Sequence, residues 1–111
     1  MATNYNLNIT RGSNFSIRLV AKDENGVAID LNGYSARSYV KHHYSSAGIL
    51  LDLNPTPAEP LASGYIDINI SGAQTTGLPI VQGVYDLEIY SGTYVDKLIK
   101  GYANIFPEVT S

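Results

Sequence analysis

The 111-residue chain contains no cysteine and no tryptophan. The absence of cysteine excludes a disulfide framework and any thiolate metal site. Charged residues make up only 15% of the chain, whereas an average soluble domain has about 25%. Uncharged polar residues and tyrosine must therefore cover much of the surface, and we interpret such a surface as suited to packing against other proteins.

Positive charge is also scarce. Seven Lys and Arg residues against ten Asp and Glu residues give a net charge of −3, whereas nucleic-acid binding needs a basic surface. No basic start precedes an apolar run, and no apolar run approaches ~18 residues, so we expect neither a signal peptide nor a membrane-spanning helix. We predict one domain over residues 1–111, without a nucleic-acid or membrane partner.

Alternation of apolar and polar residues dominates the chain and predicts half-buried strands. In one strand, Ala36, Ser38 and Val40 are expected to point inward, whereas Arg37, Tyr39 and Lys41 point outward. The predicted strands cover residues 14–22, 27–31, 34–44, 49–53, 64–70, 83–90 and 94–106. About seven or eight short strands with almost no helix favour an all-β antiparallel sandwich.

The connections carry local signals of their own. Residues 23–26 (DENG) predict a turn, and residues 71–78 predict one short helical turn, with Ser71 as its cap and Gln74 three residues later. Residues 54–60 contain Pro55, Pro57 and Pro60, which predict an exposed, semi-rigid loop and exclude a central strand. Gly101 interrupts the last strand and predicts a β-bulge.

Gly83, Tyr85 and Leu87 form the most specific local pattern. In immunoglobulin sandwiches, a tyrosine two residues before the second cysteine bonds back to the corner between strands E and F. Leu87 stands in the place of that cysteine here. The spacing predicts an Ig-like sandwich in which Tyr85 stabilises that corner; the alternative is that Tyr85 is an ordinary core tyrosine.

Two groups of residues resemble catalytic or metal sites. Asp86 and Glu88 lie two residues apart, a spacing compatible with a carboxylate pair of a glycosidase, but the alternation predicts that both lie on a solvated strand face and pair with Lys97 or Lys100. His42 and His43 are adjacent and would point to opposite faces of a strand, which disfavours a shared metal. We therefore predict no catalytic residues, no cofactor and no metal.

Four of the nine tyrosines fall at predicted strand ends or on outer faces: Tyr39, Tyr44, Tyr90 and Tyr94. Tyrosine is enriched at protein interfaces, and it can also stack on sugar rings. A simpler alternative is that tyrosine suits strands. We favour a protein interface.

The order of several segments resembles small tail and virion structural proteins of tailed bacteriophages, particularly of T4-like cyanophages. The segments are "ITRGSNFSIRL", "DLNGYSAR", "GVYDLEIYSG" and the end "FPEVTS". The N-terminal Ig-like domain of phage upper baseplate proteins is similar too. The resemblance covers nearly the whole chain and brings no catalytic or cofactor residues with it.

This resemblance implies a non-enzymatic structural subunit or adaptor of a virion, at the neck, tail, baseplate or fibre. Its partners would be other virion proteins, and its own copies would form a homo-oligomer or ring. The virion would be its location, after synthesis in the host bacterial cytoplasm. The expected contact segments are the proline-rich loop and the tail that begins at Pro107. The alternative is a carbohydrate-binding or host-adhesion module on the same fold, and a hydrolase using Asp86 and Glu88 is the third hypothesis.

Overall fold

A computed structural model describes residues 3–45 and 48–107. Nine strands, one helical turn and one 3-10 turn follow each other along the chain. They are β1 (Thr3–Asn4), β2 (Leu7–Thr10), β3 (Phe15–Val20), β4 (Ser35–Lys41), β5 (Leu51–Asp52), β6 (Thr56–Pro57), the 3-10 turn (Leu61–Ser63), β7 (Tyr65–Ile70), α1 (Gly72–Thr75), β8 (Gln82–Ser91) and β9 (Tyr94–Phe106). The all-β prediction is confirmed, with nine strands in place of about seven or eight.

The strands form two sheets. The large sheet has the order β1-β9-β8-β4-β5, with β2 also paired to β9, and the small sheet has the order β3-β7-β6. β1 and β2 run parallel to β9, so the prediction of a purely antiparallel sandwich is wrong at the N-terminus. The reason is the path of the chain: β2 turns into β3 of the opposite sheet and forms no hairpin with its neighbour β9.

The strand order is that of an immunoglobulin sandwich. In that fold, strands B, E and D share one sheet and strands C, F and G share the other. Here β3, β7 and β6 occupy the B, E and D positions, and β4, β8 and β9 occupy the C, F and G positions. The prediction of an Ig-like sandwich is therefore confirmed.

The core lies between the two sheets and follows the predicted alternation. Ile66, Ile68 and Ile70 of β7 are buried and pair in register with Leu19, Ile17 and Phe15 of β3. In β4, Ser38 and Val40 are buried as predicted, and Ala36 packs against the core. Because burying one large aliphatic side chain stabilises a fold by about 1.5–3 kcal/mol, these rows drive the two sheets together.

The strand predicted over residues 27–31 does not form. Only one isolated bridge, between Lys22 and Ala28, remains of it. The predicted turn before it is confirmed: Gly26 has a φ of 79°, and the Asp23 carboxylate accepts hydrogen bonds from the backbone N–H groups of Asn25 and Val27. Beyond the turn, the Ile29 N–H donates to the Ala21 carbonyl and the Leu31 N–H donates to the Leu61 carbonyl. The segment therefore bonds to two different parts of the chain and does not form a continuous strand pair.

The proline-rich segment is more ordered than the predicted exposed loop. Thr56–Pro57 forms β6 at the edge of the small sheet. Pro55 is buried, Pro57 is half-buried, and only Pro60 is exposed. Pro57 has no backbone N–H to donate. The edge strand β6 tolerates it because β6 pairs with β7 on one side alone. The prediction that this segment is not a central strand holds, but the prediction of an exposed loop is wrong for Pro55 and Pro57.

The predicted helical turn is confirmed as α1. The Ser71 hydroxyl accepts a hydrogen bond from the Gln74 N–H, and the Gln74 side chain accepts one from the Ser71 N–H, which together form a capping box. Thr75 in this turn is fully buried, so the turn is also part of the packed interior.

Candidate functional site

Tyr85 contacts a different part of the chain from the one that the sequence predicted. Its ring is 1% exposed, and its hydroxyl donates a 2.5 Å hydrogen bond to the backbone carbonyl of Tyr5, between β1 and β2. Burial raises the pKa of Tyr85 well above its usual value, which keeps the hydroxyl protonated as a donor. The prediction that Tyr85 bonds to the E–F corner is therefore wrong.

Thr75 stabilises that corner instead. Its hydroxyl accepts a 2.9 Å hydrogen bond from the Gly12 N–H and lies 3.0 Å from the carbonyl of Ser13. Both residues belong to the β2–β3 connection, so Thr75 ties this connection to the E–F corner. Tyr85 cannot do the same because it lies three residues inside β8, opposite Gly101 of β9.

Gly101 allows the N-terminal segment to approach β9. A Cβ atom at Gly101 would lie 2.3 Å from the carbonyl oxygen of Tyr5, closer than any non-bonded contact. Without that atom, the Tyr5 N–H donates to the Lys100 carbonyl at 2.9 Å. The predicted bulge at Gly101 is wrong, because Gly101 pairs regularly with Tyr85, and the register shift instead falls at Leu98.

The outer face of the large sheet, on the opposite side of β8, carries a cluster of charges. Glu88 is only 8% exposed, so the prediction of a fully solvated carboxylate is wrong for it. Arg37 of β4 donates to one of its oxygens, and Lys97 of β9 donates to the other at 2.9 Å. Lys97 also contacts Asp86 at 3.1 Å, which confirms the predicted pairing with Lys97, one of the two lysines considered.

The cations keep Glu88 ionised. Burial raises the pKa of Glu88, but hydrogen bonds from Lys97 and Arg37 outweigh burial and hold its pKa below the usual value. The same contact with Glu88 raises the pKa of Lys97. A carboxyl group that acts as a general acid at neutral pH needs a raised pKa, and Glu88 shows the opposite shift.

Three of the four tyrosines singled out from the sequence lie on this outer face. Tyr39 is half-buried on β4, and the ring of Tyr90 lies 4.5 Å from the Arg37 guanidinium. Tyr44 is 56% exposed and extends over β8 and β9, with its hydroxyl 3.4 Å from the Tyr85 carbonyl. Tyr94 lies elsewhere: it is at the β8–β9 hairpin, 6.0 Å from the ring of Tyr34.

Tyr44 borders two shallow depressions on the outer face. The first has a volume of about 290 Å³ and is lined by Tyr39, Lys41, Asp86 and Lys97. The second has a volume of about 620 Å³ and is lined by Asn4, Asn6, Lys100 and Tyr102. Tyr102 is 50% exposed, and sequence reasoning did not select it. Its alternation with the buried Ala103 is the signal that would have identified it as an outward residue.

The remaining candidates do not form a site. His42 and His43 follow the end of β4 and are exposed, so the prediction that they lie on a strand is wrong. Within residues 3–45 and 48–107, no group of three His, Cys, Asp or Glu side chains has the geometry to hold a metal ion, and no helix is long and apolar enough to cross a membrane. Pro107 is exposed, and the rest of the predicted contact tail, residues 108–111, lies outside the described residues.

The outer face therefore combines exposed aromatic rings with four charges joined by ion pairs, those of Arg37, Asp86, Glu88 and Lys97, and with Lys41 and Lys100. Gly83, Tyr85 and Leu87 are buried on the inner side of β8, so they contribute to the fold and cannot contact a partner directly. No protein-family model matches this chain, and no curated protein matches it.

Proposed function

We propose that the protein is a non-enzymatic structural subunit or adaptor of a tailed-phage virion, at its neck, tail, baseplate or fibre. The outer face of the large sheet is its proposed interface with other virion proteins. The observation that carries this proposal is the set of tyrosines on that face, in which Tyr44 and Tyr102 are 56% and 50% exposed. Tyrosine is enriched in protein interfaces because its flat apolar ring and its hydroxyl both find partners.

Four charges of this face favour the same proposal. Arg37, Glu88, Lys97 and Asp86 are already joined by ion pairs within the chain. A partner that covers them leaves none of these charges without a counter-ion, which avoids the high cost of burying an isolated charge. We infer the type of particle from the resemblance of several sequence segments to virion proteins.

The absence of enzymatic activity is part of the proposal. Asp86 and Glu88 are the only carboxylate pair that the sequence offered for catalysis, and Glu88 is held ionised between two cations. A glycosidase pair needs one carboxyl group that stays protonated near neutral pH. We therefore assign the pair a structural role on the sheet.

The test is the composition of purified particles. Virions of the phage whose genome encodes this chain should contain it as a stoichiometric component in a quantitative peptide map. Cross-linking within the intact particle should link Lys97 or Lys100, on the proposed interface, to another virion protein more often than Lys22, which pairs with Ala28 next to the turn of residues 23–26 and does not border that face. A complete peptide map that lacks the chain would contradict the proposal.

A carbohydrate-binding or host-adhesion module is the second candidate. It is favoured by the depression of about 620 Å³ in which the exposed ring of Tyr102 lies beside Asn4, Asn6 and Lys100, because aromatic rings next to amide groups suit sugars. A glycan array should then show binding that Tyr102→Ala abolishes and Tyr94→Ala leaves unchanged. No binding at millimolar sugar would exclude this candidate and leave the structural proposal standing.

A further inference from the structure

The small sheet has one long free edge, formed by β3. This strand pairs with β7 on one side, and no other strand within residues 3–45 and 48–107 pairs with its second side. In an immunoglobulin sandwich with the sheet order A-B-E-D, strand A occupies this second side. Here β1 and β2 pair with β9 instead, so the position beside β3 is open to a strand.

The backbone of β3 alternates between the two sides. The Ala21 N–H donates to the Gly64 carbonyl at 2.7 Å, so the backbone groups of Ala21 face β7. Since successive residues of a strand direct these groups to opposite sides, Ser16, Arg18 and Val20 direct theirs to the free side.

A second hydrogen bond supports this assignment. The Ala58 N–H donates to the Tyr65 carbonyl at 2.9 Å, so the backbone of Tyr65 faces β6. Tyr65 is the register partner of Val20. Because the backbone groups of Tyr65 face β6, the two residues form a non-hydrogen-bonded antiparallel pair, and the backbone groups of Val20 face away from β7. In the part of the chain that the structure describes, no strand pairs with the three N–H groups and three carbonyls of Ser16, Arg18 and Val20, so they are available for one more strand.

A groove with an apolar floor lies beside the carboxyl end of β3, where Leu19 and Val20 border it. Its volume is about 470 Å³, and Leu19, Ala21, Leu98 and Ile99 line it together with Tyr5. Leu19 and Ile99 are each 8% exposed, whereas residues such as Ile66 and Leu87 are at 0%. Alternate side chains of an added strand would enter this groove and complete the core there.

The end of the groove near Val20 is acidic. Asp23, Glu24 and Asp96 lie together there with one cation, Lys22. The excess of carboxylates favours a basic residue on the incoming segment. An antiparallel segment begins at this end, so the basic residue belongs at its amino end.

Two other edge strands, β5 and β6, are poor acceptors by comparison, and the edge strand β2 of the large sheet has four residues against six in β3. β5 and β6 are two residues long, and β6 contains Pro57. Short strands and proline are the usual protection of an edge against added strands. β3 has six residues, no proline and no register shift.

We propose that β3 is an acceptor for an extended segment of a different protein chain. The segment adds antiparallel to β3, forms backbone hydrogen bonds with Ser16, Arg18 and Val20, and places aliphatic side chains in the groove, with a basic residue next to Asp23 and Glu24. This inference goes beyond the proposed function, because it holds whether or not the partner belongs to a virion.

A second copy of this chain fits the edge less well. Two copies of β3 related by a two-fold axis use all three free residues only when Arg18 lies opposite Arg18 of the other copy. Like charges directly opposite each other destabilise a strand pair, and the ion pair of each Arg18 with Asp67 of its own chain weakens this repulsion without removing it. The groove would also stay unfilled, because Ile17 and Leu19 of each copy already point into their own core.

The first test uses the full chain alone, by NMR-detected hydrogen exchange. The amides of Ser16, Arg18 and Val20 should exchange much faster than those of Ile17 and Leu19. If they are already protected in the monomeric chain, its own residues cover the edge, and the proposal is wrong. If they become protected only as a dimer forms at high concentration, a second copy is the occupant, and the proposal is equally wrong.

The second test adds a probe, a short synthetic peptide with lysines at its amino end followed by alternating threonine and valine. Binding should protect the three free amides of β3 and shift the signals of Leu98 and Ile99. Residues directly opposite each other in a sheet have their side chains on the same face. The residues of the probe that form backbone hydrogen bonds with Arg18 and its equivalents therefore point outward, and these residues are the threonines. The same peptide with proline at the threonine positions should therefore not bind, and equal binding of both peptides would overturn the proposal.

A matched pair of variants locates the binding edge. Val20→Pro removes one free N–H and leaves the β7 side intact, whereas Val20→Ala keeps the N–H. The proline variant should bind the probe about tenfold more weakly than the alanine variant, the effect of one lost hydrogen bond. Equal affinity of the two folded variants, or no binding of the probe to the unmodified chain at millimolar concentration, would contradict the proposal. The amide protection pattern decides the question if the proline variant does not fold.

Discussion

The inward and outward sides of β8 differ in what their side chains contact. On the inward side, Tyr85 and Leu87 are buried at 1% and 0% exposure, and Tyr85 bonds to a residue 80 positions away in sequence. On the outward side, Asp86 and Glu88 contact cations of the neighbouring strands. The inward side therefore contributes most to the stability of the fold, and the outward side forms the surface that we propose as an interface.

The largest expected effect separates the two sides directly. Leu87→Ala should lower the free energy of unfolding by about 2–5 kcal/mol, because it leaves a cavity in the core. Val84→Ala, on the outward side of the same strand, should lower it by less than about 1 kcal/mol. Urea denaturation of both variants measures the difference, and equal losses would contradict the division between the two sides.

Gly101→Ala tests the close approach of the N-terminal segment. The new Cβ atom would collide with the Tyr5 carbonyl, and the strain should cost about 1–3 kcal/mol. Gly77→Ala is the matched control, because nothing lies within 4 Å of a Cβ atom there. Thermal unfolding should separate the two variants, and the Tyr5 amide should exchange faster only in Gly101→Ala. An unchanged melting temperature for Gly101→Ala would contradict the packing described here.

Tyr85→Phe isolates the hydrogen bond to Tyr5. The variant keeps the buried ring and leaves the Tyr5 carbonyl without this donor, which should cost about 1–2 kcal/mol. Tyr94→Phe removes the hydroxyl from a ring that is 54% exposed and should change stability by less than about 0.5 kcal/mol. If the two variants unfold at the same denaturant concentration, the Tyr85 hydroxyl does not fasten the N-terminal segment.

Glu88 gives the outward side a pH dependence. Its pKa is lowered in the folded protein, so its contribution to stability is present above the unfolded pKa of about 4.3 and is lost as pH falls through the lower folded value. Glu88→Gln should therefore flatten the fall in unfolding free energy at acidic pH, and at neutral pH it should cost about 1 kcal/mol. Lys97→Met should raise the folded pKa of Glu88 and move its protonation to higher pH. Denaturation from about pH 2.5 to about pH 7, a range that includes the unfolded pKa of a glutamate, measures both; identical pH profiles would contradict the ion-pair assignment.

The outward tyrosines should have the smallest effect on stability. Tyr44→Ser and Tyr102→Ser should each change the unfolding free energy by less than about 0.5 kcal/mol, yet they should reduce incorporation into particles. Tyr94→Ser is the control, because its ring is similarly exposed but lies at the hairpin. Normal incorporation of both outward variants would contradict the proposed interface.

Local patterns explain which parts of the structure were predictable. The alternation of Ile66, Ile68 and Ile70 and the capping box of Ser71 and Gln74 depend on neighbours in sequence, and the structure confirms both. The partner of Tyr85 was missed because Tyr5 approaches it only through the parallel pairing of β1 and β2 with β9. No local pattern predicts that pairing.

The candidate site was predictable to a similar extent. Alternation placed Asp86, Glu88 and Arg37 on one face, but the burial of Glu88 depends on side chains from two other strands. The proline segment was read from composition, which indicated a loop, whereas Leu53 and Pro55 are buried and β6 pairs with β7. Removal of residues 54–60 is therefore expected to unfold the domain and cannot serve as a test of assembly.

The most direct test of the proposed function is an electron-microscopy map of the intact particle with this chain traced in it. The proposal predicts that the chain is present in every particle and that Tyr44 and Tyr102 are covered by a neighbouring virion protein. A map in which the chain is absent, or in which the outer face of the large sheet is open to solvent, would contradict it.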